Sequence, residues 1–428
     1  MSHRHSPAPI EHLVIVGNGM AGHRLVEALA GHPGRPARIT VVGAEPTPAY
    51  NRILLSPWLA GEMDRAALTL READWYAEQG VTLVLGERVK GLDRRARRLT
   101  LTSGHVIDYD RLVLATGSRP TLPAVPGIGL DGVHGFRDLD DAQALAAAAG
   151  TGGRAVVVGG GLLGLEAAEG LRKQGMATSV LQRSSRLMNR QLDATAAQLL
   201  EAELAGRGLA VHTDARLAAL EDGGGGRVAA VHLEDGRRLP ADCVVVAAGI
   251  TPNVEPGRGA GLVADRALVV DGFLTTSDPA IHALGECCQF QGTTYGLVEP
   301  IWHQVEVLAA YLCGEAVAGY EDAPSATKLK VSGVSLYAFG PTAPDDHHEV
   351  LSYHDPEQGD YRRLLLRNGR IDGAVLYGDT AMGAWYFAQA QAGRDLGPCR
   401  QALLLGAADA EALLDAHASR THPQKEAA

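Results

Sequence analysis

The chain has 428 residues, 46% apolar and 21% charged, enough for two or three domains with sizeable cores. A formal net charge of −11 excludes the broad basic surface that nucleic acid requires, and no apolar run reaches the roughly 18 residues that span a bilayer. The polar, His-rich start lacks the apolar stretch of a signal peptide, and the five scattered cysteines (Cys243, Cys287, Cys288, Cys313, Cys399) suit a reducing cytoplasm better than a disulfide framework.

In chain order, the apolar run from Leu13 to Val16 reads as a buried parallel strand. Gly17-Asn18-Gly19-Met20-Ala21-Gly22 follows, and Arg24 to Ala30 reads as a helix. In this pattern Gly17 permits a tight turn, Gly19 lets backbone approach a pyrophosphate, and Gly22 lets helix pack on strand. A second strand from Ile39 to Val42 leads to Glu45, a candidate acceptor for ribose hydroxyls. The cluster Arg94, Arg95, Arg97 and Arg98 reads as a solvated turn between strands; the alternative is a docking patch for an acidic electron carrier.

The same unit recurs. Arg154 to Val158 is a strand, Gly159-Gly160-Gly161-Leu162-Leu163-Gly164 the turn, Leu165 to Gln174 a helix and Thr178 to Leu181 the next strand. One glycine fingerprint is weak; two, each in a strand-turn-helix-strand context, point to two dinucleotides, a bound flavin and a diffusible nicotinamide. Where the second ribose would be read stands Gln182, followed by Arg183 and Arg186. An acid there would favour NADH, whereas arginine accommodates the 2′-phosphate of NADPH, and either cofactor stays open.

Farther on, Ala115-Thr116-Gly117-Ser118-Arg119-Pro120, Ala247-Ala248-Gly249-Ile250-Thr251-Pro252-Asn253 and Leu284-Gly285-Glu286 follow strand-like stretches. Nearly the whole chain thereby resembles the pyridine nucleotide-disulfide oxidoreductases, flavoproteins with two dinucleotide domains. The resemblance implies an α/β fold with two Rossmann-like FAD- and NAD(P)H-binding domains, one inserted in the other, plus a small α+β C-terminal domain. The expected boundaries are 1–120 and 249–320 for FAD, 121–248 for NAD(P)H, 321–416 for the C-terminal domain and 417–428 for a disordered tail. It further implies FAD contacts at Gly17, Gly19, Met20, Ala21, Gly22, Glu45, Arg52, Val89, Ala115, Thr116, Gly117, Gly249, Gly285, Glu286, Pro300 and Trp302. NAD(P)H contacts are implied at Gly159, Gly161, Leu162, Leu163, Gly164, Gln182, Arg183 and Arg186.

Glu166 matches the family acid near the nicotinamide, and Arg52 is placed by the flavin ring or pyrophosphate. A helix starting near Pro300 is expected to aim its positive end at the flavin. The disulfide reductases and sulfenate peroxidases of this family need an early cysteine; here the first is Cys243, so that chemistry is not expected. Cys287 and Cys288 read as small core side chains.

Ala49-Tyr50-Asn51-Arg52-Ile53-Leu54-Leu55-Ser56, Tyr295 to Trp302, Ala326 to Val334 and Gly378-Asp379-Thr380-Ala381 resemble the flavoprotein segment of NAD(P)H-dependent nitrite reductase large subunits. Those continue into iron-sulfur and sirohaem regions that these 428 residues lack, which implies the flavoprotein module alone. The implied partner is a separate electron-accepting metalloprotein, either a nitrite or nitrate reductase component or an iron-sulfur carrier such as rubredoxin or ferredoxin. A flavin-bound redox sensor is the alternative of another class. Neither a membrane nor nucleic acid is an expected partner, and an oligomer is compatible with the pattern.

From about Glu321 the pattern alternates, as in Lys328 to Tyr337, Tyr361 to Arg367 and Ile371 to Leu376, with Asn368-Gly369 as a hairpin signal. A small antiparallel sheet is expected, then helices from about Ala381. Asp345, Asp346, His347, His348 and Glu349 read as a solvated loop rather than a metal site, and Trp385, Tyr386 and Phe387 as core.

Overall fold

The computed structural model describes residues 9–331 and 334–421, which divide into two compact units. The first comprises the chain up to Thr121, Arg137–Ala142 and Gly249–Ala323; the second comprises Leu122–Phe136, Gln143–Ala248 and the chain from Pro324 onward. Arg137–Ala142, expected within the inserted stretch, thus returns to the first unit. There the Leu139 N–H donates to the Tyr50 hydroxyl (2.9 Å) and Arg137 pairs with Glu286.

The first unit is built on a parallel sheet ordered Ile281–Ala283, Arg111–Leu114, His12–Val16, Arg38–Val42, Val81–Val84. Leu13, Ile15, Ile39, Val41, Leu112 and Val113 are buried in it, as a parallel sheet covered on both faces demands. The helix Met20–Ala30 buries Leu25, Val26 and Leu29 on one stripe, each contributing about 2 kcal/mol. It starts four residues before the Arg24 read from sequence, because Gly22 belongs to the helix rather than to the turn.

In the meander Val89–Asp93, Arg98–Leu101, Val106–Asp108, the Asp93 Oδ1 accepts the N–H groups of Arg95 and Ala96, both at 2.9 Å, and closes the turn. Arg94 pairs with Asp278 (2.8 Å) and Arg98 with Asp108 (2.7 Å), so half of the basic cluster is neutralised within the unit.

The second unit holds a parallel sheet ordered Ala210–His212, Ala177–Leu181, Arg154–Val158, Cys243–Val246, Val133–His134. It also holds an antiparallel sheet ordered Thr327–Val331, Val334–Phe339, Arg370–Tyr377, Asp360–Arg367, Glu349–Asp355, with a core of its own around Phe339, Leu364, Leu376, Tyr386 and Leu403. The alternating stretch 328–337 falls on two antiparallel strands of this sheet; residues 332 and 333 lie outside the described residues. Asn368 (φ 51°) and Gly369 (φ 74°) form the left-handed pair that a type I′ turn needs.

The tail expected from residue 417 begins instead as part of the helix Ala407–Thr421, which Ala410 and Leu414, one turn apart, fasten to the C-terminal core; 422–428 lie outside the described residues. In the acidic loop, the His348 side chain is almost fully buried between Asp345 and Asp372, and Arg367 pairs with both aspartates. No cluster among the described residues could hold a metal ion. Tyr386 and Phe387 are core, while Trp385 lies at the rim and donates to Glu411 (2.8 Å). No helix among the described residues is long and apolar enough to cross a membrane.

Candidate functional site

The two glycine turns are constructed alike. Gly17 (φ 121°) and Gly159 (φ 128°) sit where a Cβ would stand 2.0 Å from the Ala115 carbonyl oxygen and 2.3 Å from that of Ala247. Gly22 and Gly164 press on the carbonyls of Gly17 and Gly159, where a Cβ would come within 2.0 and 1.9 Å. The middle glycines differ. A Cβ on Gly161 meets nothing within 4 Å, and one on Gly19 meets only the Arg52 Nε at 4.0 Å. The outer glycines are therefore required by packing, while the middle ones leave backbone bare toward open space.

Gly19 and Gly161 are also the N-caps of Met20–Ala30 and Leu162–Lys173, where no side chain caps the helix and no acid lies in the first turn. Asp193, by contrast, caps the helix Ala194–Gly206. Unsatisfied N–H groups with the positive helix end behind them form an anion site, and each turn fits a pyrophosphate. Met20, Ala21, Leu162 and Leu163 supply the first residues of these helices.

Polar side chains converge beside the first turn. Glu45 pairs with Arg52 and accepts from the Tyr50 hydroxyl (2.6 Å); Arg52 donates to the Arg137 carbonyl (3.0 Å) and stacks 5.2 Å from the Tyr50 ring centroid. Burial opposes the Arg52 charge, yet the Glu45 carboxylate and its neighbours raise the pKa above the usual value. Burial likewise pushes the Tyr50 phenol upward, so it stays a donor.

Glu286 pairs with Arg137 and accepts from Ser118 Oγ (2.7 Å). Thr116 and Asn253 exchange two hydrogen bonds (2.6 and 2.9 Å), fastening the outgoing segment to the returning one. Gly117 and Gly249 have φ of 63° and 124°, and a Cβ on Gly249 meets nothing within 4 Å. The Gly285 N–H, opening the Gly-Glu turn, donates to the buried Gln304 Oε1 (2.8 Å).

Gln304 belongs to the helix Val298–Leu312, in which Pro300 is the third residue, where its missing N–H costs nothing. Arg24 lies over the Trp302 ring at 5.9 Å, and Val89 opens the meander, half-buried against the first core. Arg137, Ser118 and Gln304 were not singled out by sequence. Arg137 belongs to no glycine or strand signature, and its contacts with Glu286 and Arg52 are what mark it.

At the second turn Gln182 is buried; its Oε1 accepts from the Gly160 N–H (3.2 Å) and its Nε2 donates to Ser184 Oγ (2.6 Å) and the Arg186 carbonyl (3.1 Å). It braces the turn from below. Arg183 is exposed and Arg186 half-buried, flanking that brace. Glu166 lies half-buried in the second turn of Leu162–Lys173.

Cys287 and Cys288 are fully buried, with Sγ atoms directed at backbone carbonyls. Burial raises both thiols above the usual cysteine range, which favours their protonated form.

Comparison with known proteins agrees with this arrangement. The model of the pyridine nucleotide-disulphide oxidoreductase family matches residues 11–307, and that of the rubredoxin NAD+ reductase C-terminal domain matches 324–389. An assimilatory nitrate reductase electron transfer subunit of Bacillus subtilis (strain 168) is 38% identical over 370 residues, 86% of this chain and 48% of that protein. A nitrite reductase [NAD(P)H] of the same organism is 40% identical over 384 residues, 90% of this chain and 48% of that one. The solved ferredoxin reductase for the CYP199A2 system of Rhodopseudomonas palustris superposes with a TM-score of 0.79 at 31% identity, covering 88% of this chain and 93% of that one. The chain spans about half the length of the two Bacillus relatives.

Proposed function

Because the chain belongs to the pyridine nucleotide-disulphide oxidoreductase family, we propose that it is an FAD-dependent NAD(P)H oxidoreductase passing electrons to a separate redox protein, as the reductase component of a nitrite or nitrate reductase system. The observation that carries this reading is the pair of uncapped helix starts with bare middle glycines, one flanked by Arg52, the other by Arg183 and Arg186.

Bound FAD supplies the capacity to accept a hydride and release electrons singly or in pairs. The rest falls to the protein. The turn Gly17–Gly22, with Arg52, would hold the pyrophosphate; Glu45 would accept from the ribose and Glu286 from the ribityl chain. The turn Gly159–Gly164 would hold the pyridine nucleotide, with Arg183 and Arg186 near its adenosine and Glu166 near the nicotinamide. The positive end of Val298–Leu312 would favour negative charge on the reduced ring.

The match of 324–389 to a rubredoxin reductase domain favours a second reading, in which the acceptor is an iron-sulfur carrier. Five unpaired thiols suit a reducing compartment, the cytoplasm.

The test is direct. Purified protein should release one FAD per chain and show a higher kcat/KM with NADPH than with NADH. Glu166→Ala should slow stopped-flow bleaching of the flavin while FAD stays bound. FMN in place of FAD, or an unchanged bleaching rate, would count against these assignments.

A further inference from the structure

The loop from Gln182 to Asp193 runs between the second glycine turn and the C-terminal sheet, and is fastened to both. At one end Gln182 accepts from the Gly160 N–H, and the Met188 N–H donates to the Gly160 carbonyl (2.9 Å). Met188 does so in the left-handed region (φ 44°) although it is not glycine, and it is buried. Such a conformation persists only where the surroundings over-determine it.

At the other end stands Asp193, only 4% exposed. Its Oδ1 accepts the Ala196 N–H (3.3 Å) and caps the following helix. Its Oδ2 accepts from the Tyr361 hydroxyl (2.6 Å) and from Arg363 (2.7 Å), both on the strand Asp360–Arg367 of the C-terminal sheet. A buried carboxylate held by a guanidinium and a phenol is a rigid joint, since removing either partner strands a charge in the interior. A helix cap alone needs neither partner.

We propose that Asp193, Tyr361 and Arg363 form an anchor by which the C-terminal sheet positions the loop that reads the 2′-phosphate of NADPH. Arg183 and Arg186 lie on that loop between Gln182 and Met188, the two residues bonded to Gly160, and the anchor at Asp193 holds the loop's other end, so that it sets the path from which their guanidinium groups reach. The three are positioning residues, acting through the loop. The inference rests on the reading of the second turn as the pyridine-nucleotide site.

The experiment is calorimetric titration of the FAD-loaded protein with 2′,5′-ADP and with 5′-AMP, in the wild type, Tyr361→Phe and Asp193→Asn. Phenylalanine keeps the ring in the core, and asparagine keeps the helix cap. The wild type should prefer 2′,5′-ADP, and each variant should lose about tenfold of that preference, with FAD content and 5′-AMP affinity retained. Arg183→Ala combined with Tyr361→Phe should lose less than the two changes added together, because both act on one contact. A wild type indifferent to the 2′-phosphate overturns the reading of Arg183 and Arg186, and the anchor's role with it. A wild-type preference that Tyr361→Phe retains in full overturns the anchor alone.

Discussion

Gly17→Ala and Gly19→Ala, two residues apart, are expected to fail differently. At Gly17 the backbone is at φ 121° and a methyl would collide with the Ala115 carbonyl, so the first sheet cannot close and little folded protein should be recovered. Gly19 has an ordinary extended backbone (φ −81°) and free space beside it, so Gly19→Ala should fold with a near-normal melting temperature and lose FAD. Flavin absorbance against thermal unfolding separates the two; full FAD retention by Gly19→Ala would place the cofactor elsewhere. His282 poses a different question. It is fully buried, with Nδ1 3.4 Å from Thr275 Oγ1, and burial lowers its pKa to about 4. Above pH 6.5 the imidazole is neutral in both folded and unfolded chains and gives no pH slope. Between 6.5 and about 4 the unfolded chain binds a proton that the folded one refuses, so this residue's share of stability falls by roughly 1.4 kcal/mol per unit of decreasing pH. Urea midpoints at pH 7 and pH 5 should differ less in His282→Asn than in the wild type.

Among the elements, the hairpin turn Asn368-Gly369 invites a sharp test. Both residues are left-handed, and a Cβ on Gly369 would stand 2.4 Å from the Asp395 Oδ1. Gly369→Ala should cost about 1–2 kcal/mol, read as a lower urea midpoint with FAD content unchanged. That turn was legible beforehand because its chemistry is contained in two adjacent residues. The same holds for both glycine units, whose strand, turn and helix follow within about twenty positions of each other. What escaped the sequence depends on contacts between distant segments. Arg137 matters through Glu286, Gln304 through Gly285, and Gln182 braces a turn rather than projecting from it. The helix starts were read late because glycine counts against a helix in propensity, whereas at these starts it admits close packing.

At the scale of the molecule, the 428-residue chain should reduce a dye with NAD(P)H and leave nitrite untouched. Six electrons must reach nitrite to make ammonia, and flavin delivers at most two per cycle. Nitrite should disappear only after a metalloprotein partner is added. Ammonia from the pure chain would overturn the division of labour, and fast rubredoxin reduction without support of any nitrite or nitrate reductase would favour the iron-sulfur reading. The interrupted first unit also sets an order of events during synthesis. Arg111–Leu114 takes its outer neighbour from Ile281–Ala283, so while the inserted stretch is being made that strand's edge has no partner. Until Ile281 leaves the ribosome, the nascent chain carries a bare strand edge that is apolar from Leu112 to Leu114, the kind of surface that chaperones cover and that pairs wrongly at high expression. Slower translation at lower temperature, or extra trigger-factor-type holdases, should therefore raise the soluble yield of this protein more than that of one whose sheet is built from consecutive strands.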